Sequence, residues 1–150
     1  MASTLTNLVL HVVFSTKERS PMIRTELREK LYAYMVGIVR GEGGELFAIG
    51  GNADHVHMLL KHPAAVSVAE LLRLVKSNSS KWANEQTVTR KMFGWQRGYA
   101  AFSVSQSLVQ RVGEYINRQE SHHRKISFQE ELISLLKKHG VDYDERYIWS

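Results

Sequence analysis

Cysteine is absent from the 150 residues. Its absence excludes disulfides, thiol nucleophiles and cysteine-ligated zinc or iron–sulfur sites, and it fits a reducing, cytoplasmic setting. Proline is scarce, with two residues, and Pro21 marks a break after "KERS". No apolar run approaches the roughly 20 residues needed to span a bilayer. The stretch "LVLHVVF" near the start is short, is interrupted by His11 and lacks a basic leader. It reads as a strand rather than a signal peptide, and no membrane partner is expected. Repeats, low-complexity segments and linkers are also missing, so residues 1–150 are expected to form a single domain.

What is present is an ordinary soluble mixture, 43% apolar and 23% charged, with a net charge of +5. A basic surplus suits a polyanionic partner. Residues 5–16, "LTNLVLHVVFST", read as a strand. Apolar residues at helical spacing (Ile23, Leu27, Leu31, Tyr34 or Met35, Ile38) predict a helix over 23–40, stopped by glycines at 41, 43 and 44. "ELFAIGG" and "HVHMLLKH" follow as strands around a turn at "NAD". Ser67 with Glu70 three residues on has the capping-box spacing, and a helix is expected over 68–82. The stretch 84–97 reads as loop and 98–105 as a strand. Ser105 or Ser107 is then expected to cap a helix reaching Gln119, and a last helix spans 127–138 before Gly140. Tyr143, Tyr147 and Trp149 are expected to order the tail. The order β-α-β-β-α-β-α-α predicts an α+β fold. Its first six elements match the split β-α-β, ferredoxin-like pattern, with helices on one sheet face and the other face open for a site.

His55 and His57 stand two apart in the third strand, so both side chains project to one face while Val56 points into the core. Such a pair can hold one divalent metal, or it can be two surface histidines. His11 can face either side of its strand. His62 is expected to cap the end of its own strand, and His139 to end the last helix. Further on, "YINRQ" places Tyr115 and Gln119 at i and i+4, on one helix face. Gln119 can complete a His-His-Gln site, whose nitrogen and oxygen ligands suit magnesium or manganese. Tyr115 beside a cation is a candidate nucleophile. Packing of Tyr115 against the sheet and solvation of Gln119 remain the alternative. Arg73, Lys76, Lys81 and Arg97 are candidate phosphate contacts, with Lys17, Arg19, Arg90, Lys91 and "HHRK" at 122–125 as further cations. Phe93 and Trp95 are assigned to the core rather than to base stacking.

Taken together, "HVVFSTKERSP", "ADHVHMLL", "LLRLVKSNSSKW", "FGWQRGYAAFSVS" and "YINRQESHH" occur in an order that resembles the single-tyrosine transposases of the HUH endonuclease superfamily. These are encoded by small bacterial insertion sequences and by domesticated repeat-associated relatives. The resemblance implies a ferredoxin-like homodimer with composite active sites, acting on single-stranded DNA that carries hairpins. It implies Mg2+ or Mn2+ on His55, His57 and Gln119, Asp54 as a supporting residue, and Tyr115 as the nucleophile that takes up a 5′ phosphate. A domesticated enzyme that cuts repeat hairpins without moving an element is one alternative. A non-catalytic ferredoxin-like nucleic-acid-binding module is another.

Overall fold

A computed structural model describes residues 3–86, 92–119 and 125–149. Strands β1 (Val9–Ser15), β2 (Glu45–Asn52), β3 (His55–Lys61) and β4 (Ala100–Ser103) form one antiparallel sheet in the order β2-β3-β1-β4. Helices α1 (Thr25–Gly41), α2 (Val68–Gln86), α3 (Val109–Asn117) and α4 (Phe128–Lys138) complete the elements that matter for the site. This is the expected α+β, ferredoxin-like arrangement: α1 joins β1 to β2, α2 joins β3 to β4, and the inner strands are β1 and β3.

The period-2 geometry of the inner strands sorts their side chains into two layers. Val12, Phe14, Val56, Met58 and Leu60 face α1 and α2, which offer Leu31, Met35 and Val39, and Leu71, Leu72 and Val75. These helix residues recur every three or four positions, so each helix buries one stripe. The opposite sheet face differs from expectation, because it is covered rather than open. Val9, Ala48 and Leu59 pack with Ile116 of α3. Val13 and Phe102 pack with Phe128, Leu132 and Leu136 of α4. Among the described residues, helices α1 and α2 on one face and α3 and α4 on the other sandwich the sheet, and the histidine-bearing face lies in the interior.

Several boundaries move for local reasons. Helix α2 continues beyond Trp82 to Gln86 because Ala83 still has core to bury against. Its start matches the capping box, with the Glu70 amide donating to Ser67 Oγ at 3.1 Å. Phe93 and Trp95 are core residues, in edge-to-face contact at 4.9 Å, and Trp95 Nε1 donates to Ser79 Oγ at 2.9 Å. Neither Ser105 nor Ser107 caps α3. A 3-10 turn over Gln106–Leu108 intervenes, and the two hydroxyls bond each other at 3.1 Å. Helix α4 is capped as its sequence suggests, with the Glu130 amide donating to Ser127 Oγ at 3.2 Å. It ends in a Schellman turn: Gly140 has φ 67°, its amide donates to Lys137 O, and the Val141 amide donates to Leu136 O. Tyr143, Ile148 and Trp149 pack beside α4, whereas Tyr147 is exposed. Among the described residues no helix is long and apolar enough to cross a membrane.

One backbone contact fixes where α3 lies. A Cβ at Gly50 of β2 would sit 2.3 Å from the carbonyl oxygen of Ile116. Only glycine lets the helix backbone approach that closely. Gly113, by contrast, meets only ordinary contacts with Leu59 and Ala48. Gly50→Ala is expected to push α3 off the sheet, at a cost of about 1–3 kcal/mol. Urea denaturation measures that loss, and an unchanged midpoint would contradict it.

Candidate metal and tyrosine centre

Strand β3 places His55 and His57 side by side, with ring centroids 5.2 Å apart and both residues fully buried. Val56 between them belongs to the opposite layer. His55 is oriented from behind, with Nδ1 2.7 Å from Asp54 Oδ1. His57 is oriented by His11, whose Nε2 lies 2.8 Å from His57 Nδ1. His11 thus faces the site, because β1 pairs Val13 opposite His57 and alternation puts His11 on the same face. Burial, then the neighbouring His57, lowers the His11 pKa to about 3, so its ring is neutral. With both Nδ1 atoms engaged, both Nε2 atoms point into the centre.

Helix α3 brings Tyr115 over this pair, 5.9 Å from the His57 ring. The expected uninterrupted helix to Gln119 is not what positions the amide. Helix α3 ends at Asn117, Arg118 makes a turn, and Gln119 follows it, buried. Its Oε1 still reaches within 3.2 Å of His55 Nε2.

A residue with no role in the sequence reading completes the cluster. Glu131, on the first turn of α4, is 2% exposed. Its Oε1 lies 2.9 Å from His57 Nε2 and 3.8 Å from His55 Nε2. Its Oε2 accepts from Gln119 Nε2 at 3.0 Å and from the Tyr115 hydroxyl. A signal for it exists in the chain: Phe128, Glu131, Leu132, Leu135 and Leu136 fall at i, i+3, i+4, i+7 and i+8, so Glu131 occupies a slot in a buried stripe. An acid in such a slot needs partners. Phe128 from the same turn stacks on His55 at 4.2 Å.

His55, His57 and Glu131 each offer a ligand atom, all within 4.8 Å of one another. Ligand atoms around a hard divalent ion with bonds of about 2.1 Å stand roughly 3–4 Å apart, so the donor set and its spacing suit such an ion. The Tyr115 phenol is held well above its ordinary pKa, first by burial and then by the Glu131 carboxylate. It is therefore protonated at neutral pH and needs a proton acceptor at hand to become a nucleophile.

Residues 4–119 match the family described as "Transposase IS200 like". The chain belongs to the IS200-like transposase family. It is 27% identical over 124 residues to the transposase for insertion sequence element IS200 of Salmonella typhimurium strain LT2, covering 79% of this chain and 81% of that protein. It is 24% identical over 123 residues to the ISDra2 transposase TnpA of Deinococcus radiodurans. In fold it is similar to a crystal structure described as a candidate transposase of that organism, with TM-score 0.62, 21% identity, and coverage of 79% of this chain and 95% of the other. A REP-associated tyrosine transposase bound to a REP hairpin is similar at TM-score 0.62 and 14% identity, covering 82% of this chain and 72% of that one. Helix α4, and with it Glu131, lies beyond the segment that matches this family.

The cationic candidates divide by position. Arg73, Lys76 and Lys81 ride on α2, on the sheet face opposite the histidines. Arg73 pairs with Glu70 at 2.7 Å. Lys76 donates to the carbonyls of Arg97 and Gly98, both at 2.9 Å, and sits over the Phe14 ring. Lys81 and Arg97 are exposed. Arg19 lies over the Trp149 ring at 5.1 Å. Arg90 and Lys91, and residues 122–124 of "HHRK", fall outside the described residues. Burial lowers the Lys76 pKa to about 8. The folded chain therefore binds fewer protons at this group than the unfolded chain between pH 8 and 10.5, and its destabilising contribution fades as pH rises through that window. NMR titration of reductively dimethylated protein is expected to show one lysine ionising near pH 8. That resonance should vanish in Lys76→Arg.

Proposed function

We propose that this transposase cuts and rejoins single-stranded DNA at hairpin-bearing element ends through a 5′-phosphotyrosine on Tyr115. The observation that carries the reading is the double engagement of Glu131, with one oxygen facing His57 and the other taking the Tyr115 hydroxyl. Nucleophile, proton acceptor and metal donors thereby share one cluster, with the phenol half-buried and the other groups buried. His55 and His57 would hold a divalent ion, Mg2+ or Mn2+, with Gln119 Oε1 and Glu131 as oxygen donors and Asp54 orienting His55. Such an ion supplies neutralisation of charge on the phosphoryl oxygens.

The remaining steps belong to the protein. Tyr115 Oη attacks phosphorus while its proton passes to Glu131 Oε2. The bond from phosphorus to O3′ breaks, and O3′ leaves with the electron pair and takes a proton from solvent. The new phosphotyrosine keeps the bond energy, so a returning 3′ hydroxyl can reverse the sequence and rejoin strands without ATP. Arg73, Lys81 and Arg97 would hold more distant phosphates of the hairpin, a salt-sensitive contribution to affinity. Lys76 is turned inward to carbonyl groups and would add less.

Incubation with single-stranded hairpin DNA and Mg2+ or Mn2+ is expected to give a covalent adduct at Tyr115, read by mass spectrometry. Tyr115→Phe should bind DNA but give none. Glu131→Gln should slow adduct formation by about 10²-fold or more, from the loss of the proton acceptor alone. Cleavage that persists in excess chelator would refute the metal. DNA binding with no adduct in the wild type would instead favour a non-catalytic module. A domesticated endonuclease would form the same adduct, and flanking hairpins at both ends of its genomic locus would mark a mobile element instead.

The family resemblance implies a homodimer with exchanged tyrosine helices, yet within this single chain Tyr115 already meets its own Glu131. Mixing His55→Ala with Tyr115→Phe under subunit exchange separates the two arrangements. Sites completed in cis leave every heterodimer inactive. Recovery of cleavage would show that α3 serves the partner.

A further inference from the structure

A groove of about 520 Å³ opens beside Tyr115, between α3 and α4. Leu108, Arg111 and Val112 line it from the α3 side, and Leu135 and Lys138 from α4. Leu108 is 42% exposed, an apolar side chain left at the surface. Arg111 and Lys138 are exposed as well. The α4 wall lies beyond residues 4–119, the segment that matches the family, so half of this groove is built by residues the family match does not cover.

We propose that the groove binds the nucleotide immediately 3′ of the scissile phosphate, the one whose 5′ phosphate passes to Tyr115. The inference rests on the proposed chemistry and adds a binding subsite to it. In-line displacement puts the leaving O3′ opposite the attacking phenol. The nucleotide on the 5′ side therefore departs away from Tyr115. The nucleotide that keeps the phosphate stays tied to the tyrosine through O5′, and the groove is the space that adjoins it. The chemistry of the walls matches. Leu108, Val112 and Leu135 offer aliphatic surface to a base, while Arg111 and Lys138 offer charge to the next phosphate. A volume of about 520 Å³ falls within the range of sites that hold a ligand of nucleotide size. Holding this nucleotide would keep the phosphotyrosine in place until a 3′ hydroxyl returns.

The experiment uses the full chain and a single-stranded hairpin oligonucleotide in which single abasic positions are scanned along the strand. Two readouts are taken: the single-turnover rate of adduct formation by wild type, and equilibrium binding by Tyr115→Phe, which cannot cut. Leu135→Ala and Arg111→Gln probe the groove. Arg40→Gln, on α1 across the sheet, is the control. Melting temperatures report folding, and Arg111→Gln removes no core contact. One abasic position, directly 3′ of the cut, is expected to slow the wild type about tenfold, the scale of one lost base contact. The same abasic position should cost Leu135→Ala far less, because the contact is already gone. Arg40→Gln should behave as wild type. Additive losses, or indifference to that position, would overturn the groove. A wild type that forms no adduct, while binding still couples one abasic position to Leu135, would overturn the transesterification and leave a base-binding groove standing.

Discussion

The carboxylate of Glu131 is the contact on which the centre depends. A buried carboxylate costs several kcal/mol unless its oxygens find partners. Here one oxygen faces the two histidines, and the other takes the Gln119 amide and the Tyr115 hydroxyl. Strand β3, helix α3, the residue beyond its turn and helix α4 are thereby drawn to one point. Removing the carboxylate would leave a phenol, an amide and an imidazole facing each other without the acceptor they share.

The sheet makes that convergence possible by dividing its labour between faces. The layer with α1 and α2 is apolar and supplies the larger core. The layer with α3 and α4 is split into two smaller apolar clusters, one around Ile116 and one around Phe128 and Leu136. The polar centre sits between them. Gly50 matters here because it lets the α3 backbone rest on β2, which sets the height of Tyr115 above the histidines. The basic residues of α2 lie on the other layer, so DNA held there would have to pass around a sheet edge to reach the tyrosine.

Much of this is legible in the sequence. The periodic stripes of α1 and α2, the alternation through β3 and the caps at Ser67 and Ser127 are local, because each depends on residues within a few positions. The pairing of His55 with His57 on one face is equally local. Spacing alone pairs Tyr115 with Gln119 only on a continuous helix. They do meet at the site, though a turn at Arg118 brings the amide in. The sequence leaves the side of His11 open, because a strand's two faces are equivalent until its partner is known. The β1–β3 register resolved it.

The sequence by itself determined the elements, their order, and the residue types able to hold a metal and attack a phosphate. Those follow from short-range backbone geometry and from side-chain chemistry. The tertiary structure alone decided that the histidine face is covered, that Glu131 enters it and that α3 and α4 leave a groove beside Tyr115. The reason is physical: a buried acid, a close helix approach and a groove are relations between segments far apart in the chain, and packing between elements, not local spacing, sets them.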